Sequence, residues 1–170
     1  PYTTLFRSRI EIKKYPLLTK IGSKRRDSQS GGFNSEIYIG EPHEGFYTQE
    51  QIKRILAYAK ERHIKVVPEI EMPGHASAAI ASYPWLGSSD EKIEVPVRFG
   101  KLYSVYNVID PQVQTFLKEV VSEVLDLFQC DVIHVGGDEV RFNQWEANPM
   151  MVSYKKEKGF TSFMDIQIEF

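Results

Sequence analysis

Two adjacent carboxylates close the apolar stretch "DVIHVGGDEV" (Asp131–Val140), and their placement poses a stereochemical problem. Successive side chains of a regular strand point to opposite faces, so Asp138 and Glu139 could not both reach one pocket from strand geometry. Gly136 and Gly137, immediately before them, open backbone conformations that other residues rarely adopt. With the chain turned there, neighbouring acids can address one ligand in different protonation states, one ionised and one kept protonated by its surroundings. That is equipment for general acid/base chemistry. Local chemistry alone leaves a second reading open, in which the pair begins a solvated loop.

A second group lies upstream in "VVPEIEMPGHASAAIASYPWL", which carries Glu69, Glu71 and His75 around a Pro-Gly turn. An imidazole beside carboxylates can hold or relay a proton; a histidine near a helix start also serves commonly as a polar surface or capping residue. His75, Glu71, Asp138 and Glu139 offer mixed metal ligands, but no HExxH or comparable spacing surrounds them, so no metal and no cofactor is expected. Tyr83, Trp85, Tyr103, Tyr106 and Trp145 supply aromatic surface, for packing or for a sugar cleft. Trp145, six residues beyond Glu139, is the candidate pocket wall.

The elements that must position these residues follow from periodicity. Thr48 and Gln51 form a capping-box pattern, and Ile52, Ile55, Leu56 and Ala59 share one face of a helix that should end near His63. Lys65–Ile70 then reads as a buried parallel strand, with Pro68 counting against a full ladder. Asp110 caps a second helix with Pro111 at its first position, and Val113, Phe116, Leu117, Val120, Val121, Val124 and Phe128 trace its apolar face. It leads into a second strand, Asp131–Val135. Asn148-Pro149 marks a further helix start and Gly159 its stop. Residues 20–47 read as a long surface excursion with a short hairpin around Glu36–Ile39. Helix then strand, twice, indicates a parallel α/β fold, open or closed into a barrel, with the ligand site beyond the C-terminal strand ends.

Composition bounds the rest. The chain has 170 residues, 42% hydrophobic and 26% charged, as in soluble globular proteins. A net charge of -2 with scattered basic residues gives no footprint for nucleic acid or anionic membrane, and Lys24-Arg25-Arg26 reads as a solvated loop. No apolar run approaches the ~20 residues of a membrane span. Cys130, the single cysteine, excludes an internal disulfide and reads as a buried thiol beside a strand. The first eight residues, "PYTTLFRS", have no cap or periodicity and resemble a translated sequencing adapter, so 1–8 is expected to be non-native. The chain stops in "FMDIQIEF" with apolar Phe163, Ile166, Ile168 and Phe170 still recurring, and a reading frame truncated on both sides is expected.

Four blocks, "RIEIKKYPLLTKIGS", "GFYTQEQIKRILAYAKERHIK", "VVPEIEMPGHASAAIASYP" and "VIHVGGDEV", together resemble the catalytic domain of the family 20 glycoside hydrolases, the β-N-acetylhexosaminidases, over Arg9 to about Gly159. The resemblance implies part of a (β/α)8 TIM barrel, from the loop after the second strand through the fourth strand and the following helix. It implies retaining, substrate-assisted hydrolysis of terminal non-reducing β-linked N-acetylglucosamine or N-acetylgalactosamine, in which the 2-acetamido oxygen is the nucleophile. By position, Glu139 matches the general acid/base, Asp138 the carboxylate that orients the acetamido group, and His75 the histidine of the "PGH" turn that supports the acid/base residue. Glu71 stands where many members have Asp, in the same proton network. Amino-sugar glycans, glycoconjugates and chitooligosaccharides are the implied partners, and a bacterial parent would be periplasmic or secreted. A half barrel would leave open sheet edges, so the chain by itself is expected to be inactive and prone to aggregate.

The same residues admit two other readings. "GGDEV" resembles the GGDEF signature of diguanylate cyclases, but "RFNQWEANPMMVSYKKEKG" after it lacks strand alternation. A barrel that binds amino sugars without cleaving them would not need Asp138, Glu139 and His75 together.

Overall fold

The computed structural model describes residues 10–32, 34–98, 100 and 102–170; the segment 1–8, read above as non-native, and Arg9 lie outside the described residues. The chain order is α1 (Leu17–Lys20), β1 (Lys24–Arg25), β2 (Gln29–Ser30), β3 (Ile37–Tyr38), β4 (His43–Glu44), α2 (Gln49–Lys60), α3 (Ser77–Ser82), a 3-10 turn (Pro84–Leu86), α4 (Pro111–Phe128), α5 (Asn143–Ala147), α6 (Pro149–Glu157) and α7 (Phe163–Glu169).

Helix α4 organises the core. Asp110 accepts the Gln112 N–H at 2.7 Å, Pro111 takes the first helical position, and Val113, Phe116, Leu117, Val120 and Val124 are all buried. Val121 and Phe128 pack half-buried at the margin of that stripe. Tyr15, Tyr83 and Trp85 gather on Phe116, with ring centroids 4.4 Å, 6.1 Å and 5.8 Å away. Helix α2 packs against α4 and carries the expected reciprocal cap between Thr48 and Gln51. Its buried stripe is narrower than the pattern indicated: Ile52 and Ala59 are buried, whereas Ile55 is exposed. The helix stops where His63 turns to φ 54°, with the His63 N–H on Lys60 and the Ile64 N–H on Ala59.

The excursion over 20–47 folds as two short antiparallel ladders, β1 with β4 and β2 with β3, the second containing the expected hairpin residues. Lys24 and Arg26 are exposed and paired to Glu44 and Glu94 at 3.1 and 3.7 Å, but the patch is not the solvated loop expected: Lys24–Arg25 form β1, and Arg25 is half-buried with its Nε out of solvent. Cys130 is half-buried, its thiol donating to the Val132 carbonyl at 3.2 Å.

The two segments expected as buried strands run parallel, joined through a bridge between Glu69 and His134. His134 donates to the Pro68 carbonyl at 3.0 Å, and Ile70 and Met72 donate to His134 and Val135 at 2.9 and 3.0 Å. Pro68 thus serves the ladder as an acceptor, which its missing N–H does not prevent. The pairing is shorter than expected, and no closed barrel forms among the described residues. Ile64, Val67, Val132 and Val135 remain 57%, 44%, 52% and 46% exposed, because no further strand lies beside them there.

Beyond the strand ends, Asn148 caps α6 by accepting from Met150 and Met151 at 2.9 and 3.4 Å while its amide donates to the Ser88 carbonyl at 3.0 Å. Gly159, at φ 70°, ends α6 in a Schellman motif: its N–H meets Lys156 and the Phe160 N–H meets Lys155. Helix α7 starts from a reciprocal cap between Ser162 and Asp165 and is tied to α6 by Tyr154 and Lys158, which donate to Glu169 at 2.6 and 2.7 Å. Ile166 is buried, while Ile168 is exposed on the opposite side.

Candidate active site

The turn after the second parallel segment departs from β geometry as the glycine pair indicated. Gly136 and Gly137 have φ of 66° and 100°, and Glu139 itself sits at φ 56°. The turn is held from both sides. Glu71, from the first strand end, accepts the Gly137 N–H at 3.1 Å, and Gln167, from α7, donates to the Gly137 carbonyl at 2.7 Å. Gly136 is required for space as well as for φ: a Cβ there would lie 2.3 Å from Glu71 Oε1. The Gly136 N–H faces His134 Nδ1 at 3.1 Å, and that nitrogen is 3.0 Å from Glu69.

His75 meets the same turn. Gly74 lies against Val140, where an added Cβ would be 3.5 Å from Cγ2, so the Pro-Gly turn packs onto the residue after Glu139. Ligand atoms of His75, Asp138 and Glu139 all fall within 4.8 Å of one another, with Asp138 and Glu139 exposed and His75 half-buried. His75 precedes α3 rather than lying in its first turn, so its backbone is free of the helix and takes φ 49°.

Four non-glycine residues have positive φ among the described residues: His63, His75, Gln129 and Glu139. His63 and Gln129 stop helices α2 and α4, a role in which the left-handed conformation is ordinary. The other two belong to the acid cluster, where such backbone costs about 1–3 kcal/mol each and marks a site at which side-chain direction outweighs stability.

The electrostatics set Glu71 apart from an ordinary surface carboxylate. Burial pushes the Glu71 carboxyl above its ordinary 4.5, the Gly137 N–H pulls it down, and the Asp138 carboxylate pushes it up again. A carboxyl whose ionised form is disfavoured by burial, at the edge of a cleft with other acids, is a candidate functional group. The three clustered groups are also close enough to accept a cation, but acid/base chemistry needs only the side chains themselves.

The glycosyl hydrolase family 20 catalytic-domain model matches residues 7–170. The chain belongs to glycosyl hydrolase family 20. A beta-hexosaminidase of Porphyromonas gingivalis is 38% identical over 162 residues, which is 95% of this chain and 20% of that protein. The crystal structure of a beta-N-acetylhexosaminidase aligns over 91% of this chain and 31% of its own, with TM-score 0.81 and 32% identity. The family 20 exo-β-N-acetylglucosaminidase of Vibrio harveyi, solved in complex with N-acetylglucosamine, aligns over 94% of this chain and 25% of its own, with TM-score 0.74 and 32% identity. The chain thus spans between a fifth and a third of the lengths of these family 20 relatives.

Asp138, Glu139, His75 and Glu71, the residues singled out from sequence, come together at one turn of this family 20 chain. Trp145 does not join them, which corrects the pocket-wall expectation. It has 0% exposure, stacks near Phe142 with centroids 5.3 Å apart, and donates its indole N–H to the Tyr106 carbonyl at 2.9 Å. Helix α5 is short and turns that residue inward, where the ring fills the core beneath the site. Tyr106 is likewise buried, its phenol pushed above its ordinary value by burial, whereas Tyr103 stays exposed. Gln167 carries no such signal in the sequence, since nothing in a glutamine on a helix indicates a contact with a turn thirty positions earlier.

Proposed function

We propose that the whole protein removes terminal non-reducing β-linked N-acetylhexosamine residues by a retaining, substrate-assisted mechanism. The observation that carries the proposal is the convergence of Asp138, Glu139 and His75 on a left-handed turn in a family 20 chain. Glu139, protonated at the start, gives its proton to the glycosidic oxygen as the bond from that oxygen to the anomeric carbon breaks. The acetamido carbonyl oxygen of the same sugar forms the replacing bond, giving an oxazolinium ion. Asp138 accepts a hydrogen bond from the acetamido N–H, holding the oxygen in line and offsetting the positive charge that develops on nitrogen. Glu139, now a carboxylate, takes a proton from water as that water attacks the anomeric carbon and opens the ring. Two displacements at one carbon retain its configuration. His75 and Glu71 support the proton economy of the pair from the adjacent strand end.

Exposure of Ile64, Val67, Val132 and Val135 supports placing the two parallel segments as neighbouring third and fourth strands of a (β/α)8 barrel in the whole protein, with further strands covering these side chains. Such a barrel takes its substrate at the C-terminal strand ends, where this acid cluster lies. Chitooligosaccharides and the amino-sugar ends of glycoconjugates are the corresponding substrate classes. Turnover of 4-nitrophenyl N-acetyl-β-D-glucosaminide by the whole protein is the expected result, with kcat at least about 100-fold lower in Glu139→Gln because the attacking water loses its general base. Binding of N-acetylglucosamine without turnover in the unsubstituted protein would instead establish a non-catalytic sugar-binding barrel.

A further inference from the structure

We propose that Gln167 is a positioning residue for Asp138 and Glu139, an inference that deepens the function proposed above and rests on it. The Gly137 carbonyl and the Asp138 N–H belong to one planar peptide, so a bond that fixes the carbonyl also fixes the direction in which the chain enters Asp138. Gln167 Nε2 supplies that bond at 2.7 Å. Glu71 fixes the preceding peptide through the Gly137 N–H, so Gly137 is gripped on both of its backbone polar groups. Glycine has no rotational preference of its own to hold φ at 100°, and the two side chains provide the restraint. The fit is close: a Cβ on Gly137 would lie 3.2 Å from Gln167 Nε2.

The amide is placed at a cost. Gln167 Oε1 is buried and accepts no hydrogen bond among the described residues. An apolar side chain would avoid that unsatisfied oxygen, so burial energy does not account for glutamine here, whereas donation to the turn does. Helix α7 is built to deliver it. Its N-terminus is fixed by the Ser162 and Asp165 cap, Ile166 anchors it in the core, and Glu169 ties it to α6 through Tyr154 and Lys158. The helix thereby joins the catalytic turn to a scaffold that makes no contact with substrate in the proposed mechanism.

The test compares Gln167→Met, which keeps length but cannot donate, with Thr48→Ala, which removes the cap of α2 and touches neither α7 nor the turn, both in the whole protein. Gln167→Met should lower kcat on 4-nitrophenyl N-acetyl-β-D-glucosaminide about 10- to 100-fold with little change in KM. It should also speed hydrogen exchange of the peptide spanning residues 134–141 by about tenfold or more. Thr48→Ala should lower the melting temperature while leaving kcat and exchange in that peptide unchanged. The proposal is overturned if Gln167→Met keeps kcat within about twofold, or if its exchange at 134–141 matches the unsubstituted protein. A protein without turnover would sink the enzymatic reading; the exchange measurement would still decide whether Gln167 holds the turn, and unaltered exchange would overturn the proposal independently.

Discussion

Replacing Gly136 by alanine should disturb the acid cluster through a contact that can be worked out from the structure. The new Cβ would lie 2.3 Å from Glu71 Oε1 and 2.4 Å from its Cδ, more than 1 Å inside normal contact for a carbon. Glu71 must therefore retreat by about 1 Å, which carries Oε1 from 3.1 Å out of hydrogen-bond range of the Gly137 N–H. Losing that charge-assisted bond costs about 1 kcal/mol after allowing for the partial exposure of Glu71. Holding alanine at φ 66° adds about 1–2 kcal/mol. Together these come to about 2–3 kcal/mol, read by urea unfolding of the whole protein. The clash is the informative part, and a double-mutant cycle isolates it. With Glu71→Ala already present, Gly136→Ala should cost about 1 kcal/mol less than in the unsubstituted background. Costs that add within about 0.3–0.5 kcal/mol would refute the contact, and with it the view that Glu71 supports the turn.

Two further outcomes follow from the same geometry. Glu71→Gln keeps an acceptor for the Gly137 N–H but removes the charge whose ionisation burial disfavours. Because the folded-state value is raised above 4.5, the unsubstituted protein loses stability as pH rises from near 4.5 through that raised value, and the variant does not. The melting temperature of the variant should accordingly gain on the unsubstituted protein between about pH 4 and pH 7; a difference that is constant or shrinks with pH would contradict the direction assigned. Asn148→Ala removes the cap of α6 and the bond to Ser88, and should cost about 1–2 kcal/mol in urea unfolding. An effect below about 0.5 kcal/mol would mean that the cap does not anchor the C-terminal helices.

The parts of this fold that can be read in advance are those whose causes are local. Helix α4 announces itself through Asp110-Pro111 and an apolar face that recurs over 18 residues, and α2 through its capping box. Gly136-Gly137 before two acids is a local signal as well, since only a turned backbone reconciles adjacent side chains with one site. Contacts made across the fold leave no such trace. Gln167 acquires its meaning from Gly137, and Glu71 from the N–H it receives across 66 positions. Trp145 misleads for a different reason: a large amphipathic ring suits a sugar wall and a core equally, and its burial against Phe142 and Tyr106 decides between them. Helix α5, with five residues, is too short for periodicity to register, and the cap of α7 uses Asp165 where the recognisable pattern has Glu or Gln.

The proposed mechanism divides the labour between adjacent acids: Glu139 serves the leaving group and Asp138 serves the acetamido nucleophile. It is tested most directly by kcat/KM for a series of aryl N-acetyl-β-D-glucosaminides whose phenols span a wide range of acidity, measured on the whole protein, on Glu139→Gln and on Asp138→Asn. A good leaving group needs no proton, so the deficit of Glu139→Gln should shrink steadily as the phenol becomes more acidic. Asp138→Asn impairs the nucleophile whatever departs, so its deficit should stay nearly constant along the series. Parallel dependence on leaving-group acidity in the two variants would contradict the assignment of separate roles to the adjacent acids.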